Sequence, residues 1–194
     1  MLIRTATLNR RRLLAALGPA ALTVPGIFGA KTKLPETDPT GEGPFYKPGA
    51  PERADLITTG VRGTPLLLTG RFLNTHGELL AGAILDVWEA NWDGQYDNEG
   101  FTLRGKLQAD RQGRYRLRTI VPKAYSTGGQ NYRAAHIHVK ASAPGHRLIT
   151  TELYVKGDAR NYQDFGVRPS LQLVLEGPSE ARTASFDFIL GSNG

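Results

Sequence analysis

The sequence predicts an all-β protein: a single-domain β-sandwich with a winding N-terminal arm, preceded by a signal peptide. Short strand-like runs recur from residue 65 onward and are separated by turn sequences. Beyond the first 30 residues, no helical periodicity longer than about two turns is present. The 23 glycines and 12 prolines suit a β-domain rich in loops. The 194 residues, 40% hydrophobic and 22% charged, are enough for one globular domain.

Residues 1–30 have the composition of an export signal. They contain Arg4 and a cluster of three arginines, no acidic residue, and a weakly apolar run over 13–30 that glycine and proline interrupt. Such a run is too broken for a stable membrane span, but it is typical of a signal peptide. Arg10-Arg11-Arg12-Leu13-Leu14 also resembles the twin-arginine export signal. We therefore expect export to the periplasm or the extracellular space, by the twin-arginine route.

The overall charge and the lack of cysteine reduce the number of possible functions. Removing residues 1–30 would lower the formal charge from +6 to +2, so the basic pI gives little support for nucleic-acid binding. The absence of cysteine excludes thiolate catalysis, disulfides and cysteine-bound metals. A metal ion would have to be held by the four histidines, by carboxylates or by phenolates.

The predicted elements follow one another closely along the chain. Residues 31–64 are rich in Pro, Gly, Glu and Thr without periodicity, which predicts an extended arm before a core of residues 65–194. The predicted strands, several of which alternate apolar and polar residues, are 66–73, 83–88, 113–120, 135–141, 149–155, 171–175 and 183–190. Short strands separated by Gly-rich turns favour an antiparallel or mixed sandwich.

His136 and His138 carry the densest chemical signal. On a strand, alternate side chains leave the same face, so both imidazoles can reach one metal ion. The pair can equally be a polar face, and the glutamate that follows such a pair in cupins is absent. We find no carboxylate to complete the two-histidine, one-carboxylate site that ferrous iron prefers. Tyr96 and Tyr125, which follow predicted strands, are better candidates, although a lone tyrosine more often only packs its ring.

Several motifs occur in order. They are Thr40-Gly41-Glu42-Gly43-Pro44-Phe45-Tyr46, Leu68-Thr69-Gly70-Arg71, Asp86-Val87-Trp88-Glu89-Ala90-Asn91, Gly94-Gln95-Tyr96, Asp110-Arg111-Gln112-Gly113-Arg114-Tyr115, Thr119-Ile120-Val121-Pro122 with Tyr125, Arg133-Ala134-Ala135-His136-Ile137-His138, Ala143-Pro144-Gly145-His146 and 148–158. Together they resemble the intradiol ring-cleavage dioxygenases, the family of catechol 1,2-, hydroxyquinol 1,2- and protocatechuate 3,4-dioxygenases. The resemblance covers about residues 35–160.

The resemblance implies one Fe(III) per chain, held by Tyr96, Tyr125, His136 and His138. A trivalent cation favours phenolate at neutral pH, although a free phenol ionises near pH 10. The resemblance further implies that a catechol dianion displaces Tyr125, whose phenolate then accepts a proton. O2 would be inserted between the two hydroxyl-bearing carbons, giving a muconate-type diacid. Arg133 would stabilise the negative charge that develops on the ring.

Two positions depart from the family pattern. Ala134 stands where proline is usual, and Glu152 stands where the family has glutamine beside the substrate. We expect Glu152 to pair with Arg133 or to select a different substrate, so it is counted with Arg133 and Tyr125 among the catalytic candidates. The helical N-terminal dimerisation region of the catechol 1,2-dioxygenases has no room here. Because all four implied ligands lie in one chain, iron binding would need no partner subunit. The chain could still form a homo-oligomer.

The expected partners are a catecholic small molecule and O2, with no nucleic acid and no stable membrane span. Two other functions stay open from the residues alone. One is a non-catalytic, exported module similar to transthyretin-like domains, which would hold a carbohydrate or a peptide. The other is a zinc or copper hydrolase built on His136 and His138, which would give neither tyrosine a role.

Overall fold

A computed structural model describes residues 32–193, and the predicted leader, residues 1–30, lies outside them. The described part contains strands and a single turn of 3-10 helix, Pro169–Leu171, but no α-helix, which confirms the all-β class. The strands are β1 Pro65–Asn74, β2 Ile84–Glu89, β3 Arg104–Gln108, β4 Arg114–Ile120, β5 Tyr125–Gly128, β6 Asn131–Arg133, β7 His136–Ser142, β8 Ile149–Val155, β9 Gln172–Leu173, β10 Arg182–Ser185 and β11 Phe188–Leu190.

Two larger sheets share one hydrophobic core. One sheet has the strand order β3-β2-β7-β8-β9. The other is built on β1, which pairs antiparallel with β4 on one side and parallel with β10 and β11 on the other. Leu68 of β1 and Val139 of β7 belong to the same buried cluster, so residues of both sheets line one core, as in a sandwich. Strands β5 and β6 form a separate hairpin.

Alternation explains the strands that were predicted best. In β4, Tyr115, Leu117 and Thr119 are buried, whereas the arginines between them are exposed. Because neighbouring side chains on a strand face opposite ways, this sequence buries one face and solvates the other. The predicted strand over 149–155 matches β8 residue for residue.

Two predicted strands were wrong in extent. The run over 183–190 is divided into β10 and β11, because the Phe186 carbonyl accepts the Tyr115 hydroxyl (2.8 Å) and the Asp187 carboxylate binds Arg71 (2.6 Å). The run over 171–175 is a 3-10 turn followed by the two-residue β9. Strands β3, β5 and β6 were not predicted.

The arm, residues 32–64, contains no strand and lies against both large sheets. The Thr40 amide donates to the Thr150 carbonyl of β8 (3.0 Å), and the Leu56 amide donates to the Arg118 carbonyl of β4 (2.8 Å). These bonds satisfy backbone groups that would otherwise lack a partner. No helix within residues 32–193 is long and apolar enough to cross a membrane.

Candidate metal centre

His136 and His138 leave the same face of β7, and their Nε2 atoms lie 3.0 Å apart. His136 Nδ1 lies 2.6 Å from the Ala134 carbonyl, which can only accept, so Nδ1 carries the proton and Nε2 presents a lone pair. Burial lowers the pKa of both imidazoles and keeps them neutral. A neutral imidazole whose free nitrogen faces a second one at this distance can bind a cation between them.

The two candidate tyrosines lie beside this pair. Tyr96 is in the loop between β2 and β3, and its ring centre lies 5.9 Å from that of His138. The Tyr125 ring lies 5.6 Å from His136 and 5.2 Å from Tyr96. Tyr125 was expected in a loop, but it is the first residue of β5 and pairs across the hairpin with Arg133. The four predicted ligands are therefore brought together from three separate parts of the chain.

The Tyr96 hydroxyl has no hydrogen-bond partner within residues 32–193, although it is buried. Burial, together with the nearby Tyr125 and Glu89, raises the pKa of this phenol. A buried polar atom without a partner costs about 1–3 kcal/mol, and a bound cation would remove that cost. At Tyr125 burial also raises the pKa, but the Arg133 cation opposes the rise. Burial thus favours the neutral phenols, so a bound metal cation would be needed to hold them as phenolates.

Glu152 completes a group that the sequence analysis did not expect. In the β7–β8 pairing it stands directly opposite His138, and its Oε1 lies 3.5 Å from His138 Nδ1 and 3.6 Å from His136 Nε2. The prediction that no carboxylate accompanies the histidines was therefore wrong, because the register that aligns the two strands cannot be derived from the local pattern. These three residues can hold a metal ion.

Arg133 lies in a buried network beside the histidines. The expected pairing with Glu152 is confirmed, with Arg133 Nη2 at 2.9 Å from Glu152 Oε2. The same Nη2 donates to the Tyr154 hydroxyl (2.8 Å), and Arg133 Nε donates to Asp164 (2.8 Å). Asp164 was missed, because nothing in its sequence context connects it with Arg133. The network borders a cavity of about 340 Å3 lined in part by Gly43, Pro44 and Phe165.

Aromatic rings and the arm also enclose the site. Phe45 stacks on Tyr96 with ring centres 4.3 Å apart, and Trp88 stacks on His138 at 4.8 Å. Gly43 has φ +70°, and a Cβ there would lie 3.1 Å from the His138 ring, so a side chain at this position would crowd the imidazole. The arm therefore contributes a wall of the site.

Residues 41–192 match the family described as dioxygenase. Over 200 aligned residues the chain is 36% identical to the 6-chlorohydroxyquinol 1,2-dioxygenase of Cupriavidus pinatubonensis, an alignment that covers 90% of this chain and 71% of that enzyme. The chain belongs to the intradiol ring-cleavage dioxygenase family. Another member, the catechol 1,2-dioxygenase of Acinetobacter baylyi, is 33% identical over 72% of the chain. The chain spans about half of that relative's length, 53%.

Solved structures of dioxygenases show the same fold. The dioxygenase domain of a dioxygenase and carbohydrate-binding protein fusion from Streptomyces sp. SirexAA-E superposes with a TM-score of 0.76 at 38% identity, covering 82% of this chain and all of that domain. The hydroxyquinol 1,2-dioxygenase of Pseudomonas putida DLL-E4 gives a TM-score of 0.75 at 28% identity, covering 81% of this chain and 67% of that one. The resemblance predicted from the ordered motifs is confirmed.

Proposed function

We propose that this chain is a non-haem iron(III) dioxygenase that cleaves a catechol-type ring between its two hydroxyl-bearing carbons and forms a muconate-type diacid. The observation that carries the proposal is the convergence of two buried imidazoles and two phenols, with histidine Nε2 atoms 3.0 Å apart and a Tyr96 hydroxyl that lacks a partner among the described residues. Tyr96, Tyr125, His136 and His138 would hold one iron ion per chain.

The donor set supports ferric iron. Phenolate oxygens are hard, anionic ligands, and neutral imidazoles suit iron, whereas the soft thiolate ligands that favour other metals are absent from the chain. Bound ferric iron would supply Lewis-acid chemistry, lowering the pKa of the phenols and drawing electron density from a catecholate so that a ring carbon can react with O2.

The remaining chemistry would be performed by side chains near the iron. Tyr125 Oη, a phenolate when it holds the iron, would take a proton from a catechol hydroxyl, because burial raises the pKa of Tyr125 and so makes its phenolate a stronger base. Pro44 and Phe165, which line the cavity, would pack against the ring and hold it in one orientation. The apolar walls would exclude water from the reacting carbon.

A second candidate uses a different ligand set. Glu152 Oε1 lies within 3.6 Å of both histidines, so His136, His138 and Glu152 can form the two-histidine, one-carboxylate set that ferrous iron prefers. However, Glu152 Oε2 is bound by Arg133 and Tyr154, and this arrangement gives neither Tyr96 nor Tyr125 a role. We therefore favour the tyrosine-containing set.

The test combines three measurements on the purified protein: iron content, visible absorption and oxygen uptake with catechol. We expect about one iron per chain, a red-brown colour from phenolate-to-iron charge transfer, and O2 uptake that matches ring consumption. The Glu152→Gln variant should keep its iron and colour. A colourless protein whose metal is lost in Glu152→Gln would support the second candidate. Colour without catechol-dependent O2 uptake would contradict the proposed reaction.

We further propose that residues 1–30 direct the enzyme out of the cytoplasm. The twin-arginine route carries folded proteins, so iron could be inserted into a finished site before export. This proposal is supported by Arg10 and Arg11 and by the weakly apolar run that follows them. Aromatic substrates would then be met in the periplasm or outside the cell.

A further inference from the structure

The guanidinium of Arg133 is paired with two carboxylates instead of one. Its Nη2 lies 2.9 Å from Glu152 and its Nε 2.8 Å from Asp164. The three side chains are nearly buried, with 12%, 3% and 0% of Arg133, Glu152 and Asp164 exposed, so solvent screens their charges little. One cation with two anions leaves the cluster with a net charge of −1.

Both carboxylates accept hydrogen bonds from more than one donor. Asp164 accepts hydrogen bonds from Arg133, from the Ala134 amide (2.8 Å) and from the Gly166 amide (2.9 Å). Burial raises the pKa of Asp164, but these donors outweigh it and lower the pKa below its ordinary value. Glu152 accepts from Arg133 and from the Tyr154 hydroxyl.

Two members of the cluster line the cavity in which we place the substrate ring. Arg133 and Glu152 both line the cavity of about 340 Å3, and Glu152 also contacts the histidine pair. The Phe165 ring lies over Arg133, 4.9 Å from the guanidinium carbon. The other charged side chain that lines the cavity is Arg168, which is exposed and donates to the Phe165 carbonyl. A ring substituent near Arg133 therefore meets a guanidinium whose positive charge is cancelled by the carboxylates beside it. The Arg168 cation does not compensate, because water screens it.

We propose that Glu152 and Asp164 are specificity determinants that exclude catechols with an anionic substituent, an inference that rests on the proposed ring-cleaving function. With one carboxylate fewer, the cluster would be a neutral ion pair and would not repel a ring-bound carboxylate. With both present, that carboxylate meets a net negative cluster in a poorly screened cavity. Rings with neutral or cationic substituents do not encounter this repulsion.

The test compares kcat/KM for three rings: catechol, 3,4-dihydroxybenzoate with its carboxylate, and dopamine with its ammonium. In the wild type we expect the carboxylated ring to react at least tenfold less efficiently than catechol, and dopamine to lose less than the carboxylated ring. Glu152→Gln keeps the shape and hydrogen-bonding capacity but removes one charge, so it should raise the ratio of carboxylated to neutral ring about tenfold. The exposed Glu180→Gln should leave the ratio unchanged.

Equal efficiency with catechol and 3,4-dihydroxybenzoate in the wild type would overturn the inference, as would a ratio in Glu152→Gln within twofold of the wild-type ratio. A second measurement needs neither turnover nor a variant. Calorimetric titration of the wild-type iron protein should show 4-hydroxybenzoate binding at least tenfold more weakly than phenol, and equal affinities would also overturn the inference. If no ring is consumed, the proposed function is wrong. The titration still shows whether the cavity excludes rings with an anionic substituent.

Discussion

His138 and Glu152 stand directly opposite each other on β7 and β8, so a carboxylate accompanies the histidine pair whose Nε2 atoms lie 3.0 Å apart. The same strand pairing therefore positions both His138, a candidate metal ligand, and Glu152, the acidic partner of Arg133. His136 and His138 are 1% and 0% exposed, so both imidazoles are enclosed by protein.

The first prediction concerns His136→Ala. Removing this imidazole leaves a single histidine nitrogen at the site, so we expect iron content to fall to below about one tenth of the wild-type value and the visible colour to disappear. Metal analysis and an absorption spectrum measure both. His76→Ala, which changes an exposed histidine in the turn after β1, is the matched control and should stay coloured. A coloured, iron-replete His136→Ala protein would contradict the assignment.

The second prediction concerns Arg104, which is 1% exposed and lies in β3. It donates to the Phe45 carbonyl (2.7 Å) and to the Asp97 carbonyl (3.0 Å), and it forms no ion pair within the described residues. Arg104→Met keeps the aliphatic stem but removes both bonds. We expect a loss of about 1–3 kcal/mol in the free energy of unfolding of the iron-free protein, because unsatisfied carbonyls cost more than the buried charge relieves.

Urea unfolding measures the effect of Arg104→Met, with the exposed Arg111→Met as the control. The same variant should alter the visible band of the iron protein, since Phe45 stacks on Tyr96 and Asp97 follows it directly. If Arg104→Met is as stable as the wild type, the buried charge costs as much as its bonds contribute.

The third prediction concerns pH and Glu89. Burial raises the pKa of Glu89 from its ordinary value of 4.5 to about 8. The folded state therefore holds this proton more tightly than the unfolded state. Its contribution to stability is fully present below pH 4.5, declines as pH rises, and is lost once pH passes about 8.

Glu89→Gln removes this titration but keeps an oxygen that can accept from Thr119. In urea unfolding of the iron-free proteins between pH 4 and 9, the wild type should lose stability relative to the variant as pH increases, and the difference should level off near pH 8. Curves that stay parallel over this range would show that Glu89 does not titrate in this way.

The fourth prediction concerns export. Replacing Arg10 and Arg11 with lysine keeps the charge but removes the arginine pair, so the unprocessed protein should accumulate in the cytoplasm. Cell fractionation with an antibody measures its distribution, and Arg4→Lys is the control. Normal export of the double variant would exclude the twin-arginine route.

Local pattern predicted the strands that alternate, such as β4, and the strand that carries His136 and His138. The local pattern did not predict β3, because Arg104 and Gly105 are residue types typical of a polar turn. They are buried only because the arm packs over them in the folded chain. The pattern joined β10 with β11, because the break depends on Tyr115 and Arg71, which lie far away in sequence.

In the candidate site, too, some features follow from local sequence and others depend on residues far apart in the chain. The four predicted ligands came from motifs in order along the chain. Glu152 was expected near Arg133, but its approach to the histidines follows from the pairing of β7 with β8. Asp164 lies in a loop without periodicity, and only the folded chain brings it to Arg133 and to the Ala134 amide. Long-range register and loop closure are set by the whole fold.

The arm's contribution to the site has a consequence for protein engineering. A shortened protein that starts at Pro65, where the first strand begins, would contain every candidate ligand and both large sheets. It would lack Gly43, which lies against His138, and Phe45, which stacks on Tyr96. A fragment that keeps the whole site therefore has to begin upstream of the sandwich, before Gly43. A fusion partner or purification tag joined closer to the core would take the place of this wall and leave the candidate site open to water on one side.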